Sequence, residues 1–364
     1  MVTYLEQIKE FEDEIRKTSY NKRTQHHIGL VKAKIAHLKD KQVARGKGKG
    51  KTEGYNVKKS GDATVALIGF PSVGKSTLLN RLTNAASKTA GYAFTTLTCI
   101  PGVMHYQHAK IQILDLPGIL QGAAAGTGRG KEVISVLRNA DLVLFVIDIF
   151  EPTQLKTLQA ELYDAGLRLN EQSPDVTIKK TMKGGVQVAT TRKLKELLPE
   201  TIQAILNEFK MTNAYVLIRD DIGPEQLIDV IEGNKHYIPA ITVLNKTDLA
   251  DKKMIKKTEK VFPDSLFISA ERSEGLERLK QTIFDRLQLI RIYLKEIGKK
   301  ADMEEPIIMK TDSTVQDVCE KLHRDFVSKF RFARVWGKSA KFPGQKFTLK
   351  HVLHDSDVVE IRLS

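Results

Sequence analysis

The chain has 364 residues, enough for two or three domains, and its 41% hydrophobic and 28% charged content is ordinary for a folded globular protein. No apolar run approaches the ~20 residues that span a bilayer, no signal peptide opens the chain, and Cys99 and Cys319 are too few and too isolated for a disulfide framework or metal cluster, so a cytoplasmic protein is expected. The net charge of +14, from 58 basic and 44 acidic residues, points instead to polyanionic partners.

The charge is uneven. Residues 1–60 carry 15 Lys/Arg against 7 Asp/Glu. Tyr4, Ile8, Phe11 and Ile15 recur at helical spacing, and Ile28, Val31, Ile35 and Leu38 do so again, which predicts a basic helical hairpin. Arg45-Gly-Lys-Gly-Lys-Gly-Lys51 follows as a tether unable to form a core. Two readings stay open for this segment: a solvated charged face, or an arm whose lysines each reach a phosphate of nucleic acid.

Next comes a strand–loop–helix sequence. Val65-Ala-Leu-Ile68 reads as a buried parallel strand, and Thr77-Leu-Leu-Asn-Arg-Leu82 has helical spacing. Between them stand Gly69, Phe70, Pro71, Ser72, Val73, Gly74, Lys75 and Ser76, a complete G-x-x-x-x-G-K-[ST] pattern that Thr77 continues into the helix. The glycines let the backbone approach phosphate oxygens, and the loop and helix N–H groups present positive dipole ends to them. Lys75 is expected on the β- and γ-phosphates and Ser76 on Mg²⁺. The chain therefore binds a nucleoside triphosphate.

Two switch elements are expected to sense the γ-phosphate. Phe94, Thr95 and Thr96 open the run Phe-Thr-Thr-Leu-Thr; Thr96 is favoured as the metal ligand, with Thr95 the alternative. The strand Lys110–Leu114 delivers Asp115, Leu116, Pro117 and Gly118, a D-x-x-G element in which Asp115 would hold Mg²⁺ through water and the Gly118 N–H would touch the γ-phosphate. Metal ligation is thus assigned to Ser76, Thr96 and Asp115, and phosphate activation to Lys75, Thr96 and Gly118. After Gly118, where many such enzymes carry a glutamine that orients water, stands Ile119; a hydrocarbon cannot do that, so intrinsic hydrolysis should be slow. Gln121 lies two residues on. The run Gly122–Gly130 reads as a second switch, or, through Arg129, as the source of an arginine finger.

The base is read farther along. The apolar strand Tyr237–Leu244 ends in Asn245, Lys246, Thr247 and Asp248, an N-K-x-D element. The Asp248 carboxylate can accept from guanine N1–H and its exocyclic amine, and adenine offers neither donor; a site built to pair an N–H rejects an analogue lacking it by roughly 10⁴–10⁵. The alternative, a simple helix cap by Asp248, is weakened by Ser269, Ala270 and Glu271 after the strand Leu266–Ile268, the loop whose backbone N–H meets guanine O6.

Asp115 and Asn245 are farther apart than one crossover of a parallel sheet needs, which implies an insertion near 170–238. It should contain strands at 175–178, 186–189 and 214–218 and helices near 200–209 and 224–232, a small α+β module. The expected domains are 1–60, a G domain over 61–290 with this insertion, and 291–364. In the last, Pro306–Met309 opens the unit, Val315, Val318, Leu322 and Phe326 mark one amphipathic helix, and Phe332–Trp336 and Val358–Arg362 read as strands. Phe332, Trp336 and Phe342, set among Lys329, Arg331, Arg334, Lys338 and Lys341, either bind RNA or fill a small core.

These motifs, with Gly126-Thr-Gly-Arg-Gly-Lys131 and the long segment Val315–Ser339, resemble the developmentally regulated GTP-binding protein family within the Obg-related GTPases, over essentially the whole chain. The resemblance implies an α/β fold: a P-loop GTPase domain with an inserted S5D2L-like subdomain, N-terminal helices and a C-terminal β-grasp (TGS) domain. It further implies a monomeric G protein that hydrolyses GTP with Mg²⁺, acts on ribosomes and ribosomal RNA, and works with a DRG-family regulatory protein. The Lys/Gly tether and short N-terminus look archaeal. Some relatives use K⁺, held by a phosphate-loop asparagine; Ser72 stands there in this chain and is a poorer ligand, which puts K⁺ in doubt. Two other functions compete: an ATP-driven metabolic enzyme, which the N-K-x-D element opposes, and an RNA-binding adaptor in which nucleotide is structural.

Asp248→Asn should shift preference from GTP to XTP, whose 2-oxo group accepts where guanine's amine donates. Competition titration with the two nucleotides checks this; unchanged GTP affinity would remove Asp248 from base recognition.

Overall fold

The computed structural model describes residues 3–19, 21, 24–46, 61–83, 100–116 and 130–363. The calls on switch, phosphate and metal contacts at Phe94, Thr95, Thr96, Pro117 and Gly118 lie outside these, as do Cys99, Ile119, Gln121, Arg129 and the tether beyond Gly46. The chain divides into two compact units, Tyr55–Ala165 with Ile238–Ser364, and Met1–Gly54 with Gly166–Tyr237.

The first unit is built on a six-stranded sheet in the order Leu266–Phe267, Ala240–Asn245, Leu142–Asp148, Ala63–Ile68, Ala109–Asp115, Ile100–Tyr106. All pairs are parallel except the last. Ala63–Ile68 is buried at every position, as a central parallel strand covered on both faces must be, and its near-continuous apolar sequence is what that burial requires. The register sets Leu67 beside Asp115 and Asn245 beside Asp148, so all the ends that carry polar groups emerge on one edge. Leu78, Leu79 and Leu82 of the helix Lys75–Leu82 pack into the same core as Val65, Leu67, Ile111 and Leu144.

The apolar run Tyr237–Leu244 is not one strand. Pro239, which has no N–H to donate to a ladder, separates His236–Ile238, paired with Leu167–Leu169, from Ala240–Asn245. Its carbonyl still accepts from Val143 N–H at 3.0 Å.

A five-stranded sheet closes this unit, in the order Ile307–Lys310, Leu289–Leu294, Asp357–Leu363, Phe330–Trp336, Gln345–Phe347. It begins at Leu289, ahead of Pro306, and Leu289 and Ile308 reach into the G-domain core while Ile290 and Ile292 line the smaller one. Lys310 Nζ bonds Asp141 at 2.9 Å, and the same carboxylate accepts from Thr64 N–H at 3.0 Å, so a central G-domain strand and the C-terminal sheet share one acid. The amphipathic stretch 315–328 is two helices, Val315–Leu322 and Arg324–Ser328. His323 between them is extended, and its Nδ1 accepts from Asp325 N–H at 3.2 Å, capping the second helix at the cost of continuity.

The aromatics of this domain divide by strand alternation and by a register shift between Phe330 and Phe332. Ala333 and Val335 face the core with Phe330 and Phe347 packed against it. Phe332, Arg334 and Trp336 point the other way, Lys346 lying over the Phe332 ring at 4.7 Å and Lys295 over Trp336 at 4.8 Å, and Phe342 is exposed. Core filling therefore falls to aromatics other than the three singled out from sequence.

In the second unit the helix Tyr4–Lys17 opens with a capping box between Thr3 and Glu6 and packs on Gln25–Gly46 through Ile8, Val31 and Ile35. Ala33 of the longer helix lies in the core formed by Ile202, Ile205, Leu206, Val216, Ile218 and Leu227, and His26 bonds Thr201 at 3.0 Å. The N-terminal helices thus fold with residues 166–237 as one body. A three-stranded sheet, Val176–Lys180, Ala214–Ile218 and Val186–Thr190 with Ala214–Ile218 central, backs this core beside the helices Pro199–Glu208 and Pro224–Glu232. Among the described residues no helix is long and apolar enough to cross a membrane.

One buried ion pair sits in this unit. Arg168 Nε and a terminal nitrogen reach the two Asp229 oxygens at 2.6 and 2.8 Å, with side chains 6% and 5% exposed. Removing one partner leaves a buried charge, so Asp229→Ala should cost about 3–5 kcal/mol. Glu225→Ala, at a half-exposed pair with Lys32, should cost under about 1 kcal/mol. Urea titration followed by amide exchange within 166–237 measures both; equal effects would contradict the burial argument.

Candidate nucleotide-binding site

The carboxyl edge of the parallel sheet is where ligands of such sheets bind, and the phosphate loop lies there. Gly69 and Gly74 are glycine for steric reasons: a Cβ at Gly69 would collide with Val146 O, and one at Gly74, whose φ is +94°, with Asn245 Nδ2. The loop is therefore shaped by its neighbours as well as by its ligand. Ser72 also takes a left-handed conformation, φ 63°, which directs successive N–H groups towards one concavity.

Lys75 Nζ donates to the carbonyls of Gly69 and Phe70, both at 2.8 Å, so its ammonium is held at the loop mouth. Burial lowers its pKa, and the charge of Asp115 partly opposes that. A phosphate would restore a full counter-charge to a cation short of solvation.

Ser76 Oγ donates to Asp115 Oδ2 at 2.8 Å, bringing together two of the three predicted metal ligands. Asp115 is 7% exposed, and its Oδ1 is buried with no hydrogen-bond partner among the described residues. A carboxylate oxygen in that position costs free energy unless a cation or its water meets it, and a hydroxyl–carboxylate pair suits a hard divalent ion, so the residues fit Mg²⁺. Leu116 beside it is buried.

Asn245 joins the two halves of the site. It is 2% exposed; its Nδ2 donates to Val73 O at 2.9 Å and its Oδ1 accepts from Ala270 N–H at 2.9 Å. The asparagine of N-K-x-D is thus a clamp between phosphate loop and base loop. The Ala270 N–H is spent on that clamp, Ser269 N–H on Glu274 O and Arg272 N–H on Ser269 Oγ. Among the described residues the N–H of Glu271, next to the clamp, has no acceptor and is available to guanine O6. Glu271 O meanwhile accepts from Arg81 at 3.0 Å, tying the turn to the phosphate-loop helix.

Lys246 is left-handed, φ 67°, and its Nζ bonds Asp148 Oδ2 at 2.7 Å, while Asp148 Oδ1 accepts from Phe150 N–H at 3.0 Å. This fixes the end of the lysine side chain, whose stem would lie along a bound base. Asp248 stands in a single 3₁₀ turn, Thr247–Leu249, with Arg272 Nε at 4.0 Å. Asp148 and Arg272 were not singled out from sequence. Asp148 ends a strand in register with Asn245, and that position at the carboxyl edge was the available signal.

Comparison with known proteins agrees with this geometry. Residues 64–180 match the family described as 50S ribosome-binding GTPase, residues 183–289 the C-terminal region of that domain, and residues 290–363 the TGS domain. The chain is 44% identical to developmentally-regulated G-protein 3 of Arabidopsis thaliana, over 99% of both chains, and 43% identical to developmentally-regulated GTP-binding protein 2 of Homo sapiens, over 98% of both. The chain belongs to the developmentally regulated GTP-binding protein family. An uncharacterised GTP-binding protein of Methanocaldococcus jannaschii is 52% identical, over 98% of this chain and 92% of that one. Among solved structures, the Schizosaccharomyces pombe YchF GTPase is 13% identical with a TM-score of 0.44, covering 84% of this chain and 99% of that chain. As a member of this family, the chain is a GTP-binding protein of GTPase fold.

Asn245→Ala would leave Val73 O and Ala270 N–H unpaired in a buried place, at ~1–3 kcal/mol each. GTP and GDP affinity should fall together, by about 10–100-fold in a fluorescent-nucleotide titration, because the clamp touches neither phosphate. A loss confined to GTP would show that Asn245 senses the γ-phosphate instead.

Proposed function

We propose that this protein is a slow GTP-hydrolysing switch that acts on translating ribosomes, with a DRG-family regulatory protein setting the lifetime of its GTP form. The observation that carries the hydrolytic part is the Ser76–Asp115 pair with its unmet Oδ1 beside Lys75. Ser76, Asp115 and Thr96 would hold Mg²⁺, which when bound neutralises charge on the β- and γ-oxygens. Lys75 orients and compensates the same phosphates, Asp248 and Lys246 fix the base, and Asn245 keeps both ends in one geometry. None of these groups activates water, and Ile119 stands where an orienting amide is usual. Turnover is therefore slow until a partner completes the site. The description of the matched family as 50S ribosome-binding, and the excess of basic residues, support the ribosome as that surface.

Single-turnover GTP hydrolysis, alone and with ribosomes or the regulatory protein, tests this reading. The basal rate should be low and rise with either addition, and Ser76→Ala should abolish both. Ile119→Ala should change the basal rate by less than about tenfold, since an alkyl chain stabilises no transition-state charge. A hundredfold loss with nucleotide affinity intact would give Ile119 a direct part, and a fast basal rate would end the switch reading.

A further inference from the structure

Residues 176–195 contain six cations, Lys179, Lys180, Lys183, Arg192, Lys193 and Lys195, and no acid. They cover two strands of the three-stranded sheet in the 166–237 segment. Cross-strand register divides that sheet into two faces. Val176, Ile178, Val186, Val188, Val216 and Ile218 pack towards the helices. Thr177 opposite Leu217, Lys179 opposite Tyr215, Gln187 beside Tyr215 and Ala189 beside Leu217 form the other face, where Lys179, Tyr215 and Gln187 are exposed.

The charges are also unevenly spent. At the Ile218 end, Asp175 pairs with Arg219 at 2.7 Å and Asp221 with Lys195 at 3.0 Å, and Asp220 accepts from Asp175 N–H. At the Ala214 end, Lys179, Lys180 and Lys183 are exposed and make no ion pair among the described residues. The loop that carries Lys183 is nonetheless fixed. Thr181 N–H donates to Asn213 O at 3.1 Å, Gly185 N–H to Asn213 Oδ1 at 2.9 Å, and Ala214 N–H to Gly185 O at 3.1 Å, while Gly184 and Gly185 take the positive φ values this turn needs. Lys179 and Lys183 are thus held at one end of a sheet face whose middle is an exposed tyrosine flanked by an amide, while Lys180 follows Ile178 on the opposite face.

We propose that this face binds single-stranded RNA, with Tyr215 as the stacking platform, Gln187 on a base edge, and Lys179 and Lys183 on phosphates. Cations without acid partners make it complementary to a polyanion, and the aromatic ring gives a base something to stack on. On the C-terminal sheet, by contrast, Lys295 is already bonded to Glu360 and laid over Trp336, and Arg362 is bonded to the same glutamate. A lipid surface fits less well, since Met182 is the one large apolar side chain at the tip of this loop. The face lies wholly in residues 166–237 and needs no nucleotide turnover, so its test and that of the switch can fail separately.

Fluorescence anisotropy of full-length protein with a labelled unstructured oligoribonucleotide, between ~50 and ~200 mM salt, provides the test. The double variant Lys179→Ala/Lys183→Ala should reduce the log–log salt slope by about 1.4, at ~0.7 per single-strand phosphate contact. Tyr215→Ala should weaken binding by about five- to a hundredfold with the slope unchanged, as loss of stacking on one base does, and Tyr215→Phe should retain it. Amide exchange within 166–237 verifies that each variant is folded. Wild-type slope and affinity in the double variant would overturn the proposal. So would its loss of binding to vesicles rich in phosphatidylserine with RNA binding intact.

Discussion

One buried carboxamide holds the nucleotide site together. Asn245 sits at the end of a parallel strand, 2% exposed, and spends one side of its amide on the phosphate loop and the other on the turn that reads the base. Because both partners are backbone groups, the bond constrains two loops without depending on their side chains. Gly74 is glycine partly because that amide occupies the space a Cβ would need. Phosphate recognition and base recognition are far apart in the sequence, and this group gives them a common frame.

The charged groups at the site follow the same logic of constraint. Lys75, Asp115, Asp148 and Lys246 are each kept from full solvation and each held by a short hydrogen bond within the chain. A ligand that supplies counter-charge or the missing donor completes these groups at little cost in ordering. The Asp115 oxygen left without a partner among the described residues and the Lys75 ammonium with its lowered pKa are two forms of one condition: polar groups arranged for a partner that carries the opposite charge. The Arg168–Asp229 pair is the contrast, a buried charge pair that satisfies itself and so has only a structural part.

Much of this could be read along the chain. The apolar strands before Gly69 and Asn245 were visible as continuous runs because strands buried on both faces need no polar alternation. The paired loops followed from spacing. The helices near 200–209 and 224–232 were legible from periodicity, and Pro199 and Pro224 at their first turns made the starts definite. Errors fell where a local feature outweighed the pattern. Pro239 divides an apolar run because it lacks an N–H, and His323 divides an amphipathic one because a cap competes with helix continuation. The strand Leu289–Leu294 went unread because its alternation with Arg291 and Tyr293 continues directly from a helix.

By itself the sequence determined which chemistry this protein has: a loop for phosphate, a carboxylate for guanine, an acid and a hydroxyl for a divalent ion, and a hydrocarbon at the position after the switch glycine. These are properties of residue type and short spacing, which a chain carries unfolded or folded. Tertiary structure alone decided that Asn245 is a clamp, that Asp148 fixes Lys246, that the N-terminal helices fold with residues 166–237, and that Lys179 and Gln187 flank Tyr215 on an open face. Each of those depends on strand order and register, which bring together residues separated by tens to hundreds of positions, and no local preference encodes that distance.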